Sequence, residues 1–198
     1  PDTVLSFSFD SSVEGEIQGI GFDNDDIISS GQTFQLAGTQ SNFGLQDFNT
    51  YSNGSGPQNY SIPVGSFFTG DFQYLTFLND DDLSNAPNPL ATDSFSNIQL
   101  FEDNTAPVFT SGATATAIDE NSGTNQLIYT ATTSDSSPVT YSLKTNNNDD
   151  AASFSIDSNS GEVTLDVNPD YESQSSYAFS VIATDAVGNT SEQSVTLA

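Results

Sequence analysis

The chain contains no cysteine, histidine, arginine, tryptophan or methionine, and its lone cationic side chain is Lys144. Each absence removes a class of function. Without Cys there are no disulfides, thiol nucleophiles or thiolate metal sites. Without His there is no imidazole base, and without Arg no bidentate clamp for a carboxylate or phosphate, so catalysis is not expected. A carboxylate pair suffices for glycoside cleavage, but nothing in the sequence marks one pair among 27 acidic residues. One Lys cannot neutralise a phosphate backbone or an anionic bilayer, which excludes nucleic acid and acidic membrane surfaces as partners. No run approaches the roughly 20 apolar residues of a membrane span, and no basic segment followed by an apolar one opens the chain. Beginning at Pro1 without Met, the chain reads as a processed or excised piece of something longer.

What is present in excess is acid. The formal net charge is −26 over 198 residues. Diffuse charge is tolerable in salt, because screening acts within about 10 Å at 0.1 M ionic strength. Clustered charge is harder to tolerate, and two segments cluster it: Asp23, Asn24, Asp25 and Asp26, and Asn79, Asp80, Asp81 and Asp82. With almost no side-chain cation available, such oxygen-rich groups point to hard divalent ions, above all Ca2+.

Hydrophobic content is only 34%, but 15 Phe and 7 Tyr supply bulky core material, so the chain is expected to fold. Short segments rich in Val, Ile, Thr, Phe and Tyr recur between Gly, Asn, Asp and Ser, and no window shows sustained helical spacing. The expected class is all-β, with strands near 3–9, 15–22, 33–37, 43–48, 60–62, 72–78 and 95–101. A polar stretch at Glu102-Asp-Asn-Thr-Ala-Pro107 interrupts the pattern and reads as an extended linker. Beyond it follow strands near 115–118, 127–131, 139–143, 154–156, 163–165, 177–183 and 195–197, spaced as in an immunoglobulin-like sandwich. The chain therefore divides into two tandem β-sandwich domains, 1–105 and 106–198.

The second domain carries ordered motifs: Ala106-Pro-Val-Phe109, Asp119-Glu-Asn121, Phe154-Ser-Ile-Asp157 with Ser160-Gly161, Asp170-Tyr-Glu172, and Ala183-Thr-Asp185 with Gly188. In this order and spacing they resemble a cadherin-like repeat, of the kind found in large secreted bacterial proteins. The resemblance implies calcium at domain junctions. Glu120, Asp170 and Glu172 would serve the C-terminal junction; Asp185 with linker residues Asp103 and Asn104 would serve the N-terminal one. Asp135 stands alone in Thr133-Ser-Asp-Ser136 where the family often shows D-x-D, which weakens that second site.

Residues 1–105 resemble a β-sandwich module attached to secreted marine bacterial proteins, some acting on polysaccharides. The resemblance rests on 13–25, Phe77-Leu-Asn-Asp-Asp81 and Phe95-Ser-Asn-Ile98. It implies that one or two strands precede Pro1. Its two acidic loops each follow an apolar strand and, if they meet at one rim, offer five to seven oxygens to calcium. Sugar recognition needs flat apolar faces, and Tyr51 and Tyr60 bracket the Gly- and Ser-rich stretch 52–57, making them the candidate platforms.

The sequence reading is thus a non-catalytic extracellular calcium-binding module of a secreted or cell-surface bacterial protein. It would act in adhesion to a polysaccharide or cell-surface glycan, with the second domain a calcium-stiffened spacer. The alternative is the subunit of an extracellular fibre that pairs with copies of itself through strand edges.

Overall fold

A computed structural model describes residues 2–25, 27–40, 42–81, 90–145 and 149–198. The chain is all-β and divides into two compact units, Pro1–Glu102 and Asp103–Ala198. Among the described residues no helix is long and apolar enough to cross a membrane.

The first unit is built from two antiparallel three-stranded sheets. One has the order β4-β1-β6, with β1 at Thr3–Val13, β4 at Gln58–Ile62 and β6 at Thr92–Glu102. The other has the order β3-β2-β5, with β2 at Ile17–Asp23, β3 at Thr33–Ala37 and β5 at Tyr74–Asp80. Alternation along β1 turns Leu5, Phe7 and Phe9 inward, and β2 adds Ile20 and Phe22, β3 Phe34 and Leu36. Aromatic rings fill much of this core: Phe7 stacks on Tyr60, and Phe34 lies edge-on to Phe48 and Phe67. A single helical turn, α1 at Val64–Phe67, closes one end.

The strand expected at 43–48 is reduced to one parallel bridge, Phe34 to Leu45, because Gly44 turns the backbone into the left-handed region at φ 69°.

The second unit has strands β7 at Val108–Phe109, β8 at Gln126–Thr130, β9 at Thr133–Ser134 and β10 at Val139–Leu143. It continues with β11 at Phe154–Ile156, β12 at Glu162–Leu165, β13 at Tyr177–Asp185 and β14 at Thr190–Leu197. They form sheets of order β10-β13-β14 and β11-β12-β8, with β7 and β9 pairing separately. Ile128, Phe154, Val163, Leu165, Phe179, Val181 and Val195 make the core between them. The stretch 115–118, expected as a strand, is not one. The Ala115 amide donates to Thr196 of β14 and the next amide, Thr116, to Ile128 of β8, so the segment crosses between sheets instead of continuing a ladder.

Turn chemistry explains two of the motifs. The Asp157 carboxylate accepts the Asn159 and Ser160 amides at 2.9 and 2.8 Å, closing the β11–β12 turn. Gly161 then takes φ 72°, where an added Cβ would lie 2.4 Å from the Ala131 carbonyl. Lys144 is held by Glu192 at 2.7 Å on the exposed face of β13 and its neighbours, a pair worth under about 1 kcal/mol.

Candidate metal centres

The topology separates the two acidic loops of the first unit. Strands β2 and β5 run antiparallel with Asp23 opposite Tyr74 and Ile17 opposite Asp80. The loops after Asp23 and after Asp80 therefore leave opposite ends of the sheet, about 20 Å apart at 3.3 Å per residue, and the expectation that they share one rim is corrected. Each has a local role instead. Asp23 is buried; hydrogen bonds from Ser29 and the Asn24 amide hold its carboxyl below the ordinary range. Asn24 and Asp25 are exposed, and Asp25 accepts the Ile27 amide at 2.8 Å. Asn79 donates to the Ala91 carbonyl at 3.0 Å and Asp81 accepts the Ala91 amide at 3.0 Å, pinning the strand ends beside Asp80. Asp26 and Asp82 lie outside the described residues.

Tyr51 and Tyr60 are likewise corrected. Both are buried, at 8% and 5% exposure. Tyr51 packs edge-on against Phe9, and its hydroxyl accepts the Ser11 amide and donates to Asp10. Rings spent on the core offer no face to a sugar. Among the described residues of the first unit the exposed aromatic rings are Phe67 on α1 and Tyr74 and Phe77 on β5, which sequence spacing did not single out.

In the second unit the geometry gathers two acidic triads, each with one carboxylate oxygen per residue within 4.8 Å of the others. The first joins Asp103, Asp135 and Asp185. Asp103 and Asp185 are buried and Asp135 is half-buried. Backbone and hydroxyl donors aim every member. Asp185 Oδ1 accepts the amides of Val187, Gly188 and Asn189 at 3.0, 2.7 and 2.8 Å, because the β13–β14 turn folds over it. Asn189 Nδ2 donates both to Asp185 Oδ2 at 2.8 Å and to the Asp103 carbonyl at 3.0 Å. Asp135 accepts the Ser137 amide at 2.9 Å. Burial pushes the Asp103 carboxyl up, but hydrogen bonds from Ser137, Thr105 and Ser136 outweigh it and hold it below the ordinary carboxylate range. Asn104, expected beside them, is exposed and outside the triad.

The second triad joins Glu120, Asp170 and Glu172, all exposed. Asp170 receives the Ser173 hydroxyl at 2.8 Å and the Glu172 amide at 3.1 Å, and these Ser173 and Glu172 hydrogen bonds hold its carboxyl low. The triads occupy opposite ends of the unit. Asp185 ends β13, while Tyr177 at its other end lines a small cleft with Glu120, Tyr171 and Leu197.

Like charges within about 4.8 Å of one another repel, the more so where burial removes screening water. Three aligned carboxylates, two of them buried, call for positive charge. The one cationic side chain is engaged by Glu192. A set of carboxylate oxygens, with no nitrogen or sulfur ligand among them, fits a hard divalent ion.

Residues 103–198, the whole of the second unit, match the family model described as Cadherin domain. Similar solved structures include the protocadherin Gamma B2 extracellular cadherin domains 3–6, 26% identical over 46% of this chain and 22% of that one, at a TM-score of 0.41. Human protocadherin-24 EC1-2 (form II) is 22% identical over 48% and 44%, at a TM-score of 0.41. The third cadherin domain from human protocadherin 7 is 20% identical over 46% and 83%, also at 0.41. The chain thus spans about a fifth of the first and under half of the second. No curated protein matches it.

Proposed function

We propose that the chain is a non-catalytic, calcium-binding adhesion module that works outside the cell, its second unit holding calcium at both ends. The observation that carries this is the triad of Asp103, Asp135 and Asp185, whose carboxylates converge with two of them buried and with no side-chain cation to pair them. A cadherin-domain match over the same residues supports the same reading. Ordered calcium at both ends would stiffen the unit against its neighbours in a longer protein.

Calorimetric titration of calcium into the full chain tests the assignment. Asp135→Asn removes one charge from a half-buried position and is expected to weaken the first class of sites by about tenfold or more while leaving the second, since affinity follows ligand charge. Glu172→Gln should do the reverse. If neither substitution changes the isotherm, the triads are solvated turns and the proposal fails.

A second reading, assembly through strand edges, is favoured by one feature of the first unit. Leu100 of β6 pairs with the core residue Leu5, and Phe77 of β5 with Ile20, so both point to the inner side of their sheets. Yet Leu100 is 57% and Phe77 46% exposed. The sandwich is open along these two edge strands, beside a cleft of about 230 Å³ lined by Phe22, Val64, Phe68, Phe72 and Leu100. Unpaired edges with apolar side chains invite another strand. Sedimentation in calcium and 0.5 M salt, a setting chosen to screen charge to within a few ångströms, is expected to show self-association that Leu100→Lys abolishes. A monomer under all conditions would remove this reading and leave the adhesion module.

A further inference from the structure

At one end of the first sandwich a buried polar bridge ties its two sheets together. Ser11 and Asp93 face each other across the β1–β6 ladder, and Gln18, fully buried on β2, reaches over from the other sheet to both. Gln18 Nε2 donates to Ser11 Oγ at 2.9 Å, to the Val13 carbonyl at 3.3 Å, and to Asp93 Oδ1. Ser11 Oγ donates in turn to the Val13 carbonyl at 3.0 Å and to Asn53 Oδ1 at 3.2 Å.

Counting hydrogens exposes the imbalance. An amide nitrogen has two and a hydroxyl one, and here they are divided among five contacts. Two further oxygens receive nothing: Gln18 Oε1 and Asp93 Oδ2 are buried without a hydrogen-bond partner. Buried polar atoms are nearly always paired, so two orphan acceptors on the two partners of one hydrogen bond call for a donor or a cation between them. The oxygens of this nest are Ser11 Oγ, Val13 O, Gln18 Oε1, Asn53 Oδ1 and both oxygens of Asp93. Six is the lower end of what calcium coordinates.

We propose that this nest is a cation site of the first unit, independent of the two triads, which takes calcium between the Asp93 carboxylate and the Gln18 amide oxygen. The amide nitrogen of Gln18 stands where the ion's positive charge belongs. On binding, the amide turns over about its last bond and places Oε1 among the oxygens that now surround Nε2. The Val13 carbonyl, Ser11 Oγ and Asn53 Oδ1 complete the set. Everything charged around the nest is acidic. Asp10 neighbours Ser11 on β1 and is held by the Tyr51 hydroxyl; Glu14 and Glu16 follow on the β1–β2 turn; Asp80 ends β5 and Asp81 follows it. Burial pushes the Asp93 carboxyl up to about 6, as expected for a carboxylate without its counter-charge. An ion bridging Gln18 and Asp93 would also fasten one sheet to the other at the end where β1 finishes and β2 and β6 begin.

Two substitutions in the full chain, read by calcium titration and melting with and without chelator, decide the matter. Asp93→Asn is nearly isosteric and is expected to bind one calcium fewer than the unaltered chain. Gln18→Glu adds a carboxylate beside Asp93. In chelator it should melt lower through repulsion, and calcium should restore it with an affinity about tenfold above that of the native site, because affinity rises with ligand charge. An unchanged calcium stoichiometry in Asp93→Asn overturns the proposal, as does a Gln18→Glu chain that calcium fails to rescue. Should neither variant fold, the carboxyl carbon resonance of Asp93 in the unaltered chain gives the answer. It is expected to move as calcium is added; a resonance that responds to pH alone would show a proton, and not an ion, in the nest.

Discussion

In calcium at about a hundred times its dissociation constant, the second unit is expected to melt about 10–20 °C higher than in chelator. One native-state site at that ratio contributes roughly 2.7 kcal/mol. For a unit of this size each kcal/mol moves the midpoint by about 4–8 °C. Calcium removes the mutual repulsion of Asp103, Asp135 and Asp185 as well as adding its own bonds. Magnesium is expected to do less, because it demands a tight octahedron and dehydrates reluctantly. Acid should cancel the gain in a particular order. The Asp103 and Asp170 carboxyls lie below their ordinary value when folded, so the stability they carry is present above the unfolded carboxylate range and is lost only as pH falls through their lowered folded values. The calcium increment should therefore persist at pH 5 in this account. Scanning calorimetry in calcium, magnesium and chelator at two pH values is the measurement. Superimposed curves would end the calcium reading.

Which carboxylates lie together is partly legible in the sequence, by different routes. The triad of Glu120, Asp170 and Glu172 is what the resemblance of Asp119-Glu-Asn121 and Asp170-Tyr-Glu172 to a cadherin-like repeat implies. Asp185 and Asp103 were placed together on the same grounds. Asp135 looked like a weak point in the sequence, yet it joins them, since the β9–β10 turn needs only one carboxylate in position. The first unit was harder to read. Local pattern gave its strands and the acidic loops at their ends, but the antiparallel register of β2 and β5 decides which loops meet, and register depends on pairing across more than fifty residues. Tyr51 and Tyr60 follow the same logic. A Gly- and Ser-rich stretch between two tyrosines reads as an exposed loop, whereas Phe7 and Phe9 from the first strand capture both rings. Nothing local to Gln18 or Asp93 hints that they meet, because the contact joins two sheets across 75 positions.

Asp185→Ala is expected to be the most damaging single substitution near the first triad, and to be so even without calcium. Its carboxylate caps three consecutive amides of the β13–β14 turn, at Val187, Gly188 and Asn189, and also holds the Asn189 side chain. Alanine leaves the Val187 and Asn189 amides without an acceptor, while the Gly188 amide keeps the Asp185 carbonyl at 3.3 Å and the Asn189 side chain keeps the Asp103 carbonyl at 3.0 Å. A stranded buried donor costs about 1–3 kcal/mol, and since this turn lies partly in reach of water the lower figure applies to each of the two, for about 2 kcal/mol in all. Out of a typical 5–15 kcal/mol that is a large share, and it predicts a midpoint lower by about 8–16 °C in chelator. Asp185→Asn separates the two roles. It keeps one oxygen for the amides but turns an NH2 toward Asn189 Nδ2, so it should cost less than alanine in chelator while losing as much of the calcium increment. Melting both variants with and without calcium gives four numbers that must fall in this order. An alanine variant that melts in chelator within a degree or two of the unaltered chain would show that the turn does not depend on the carboxylate. A full calcium response in either variant would take Asp185 out of the metal centre.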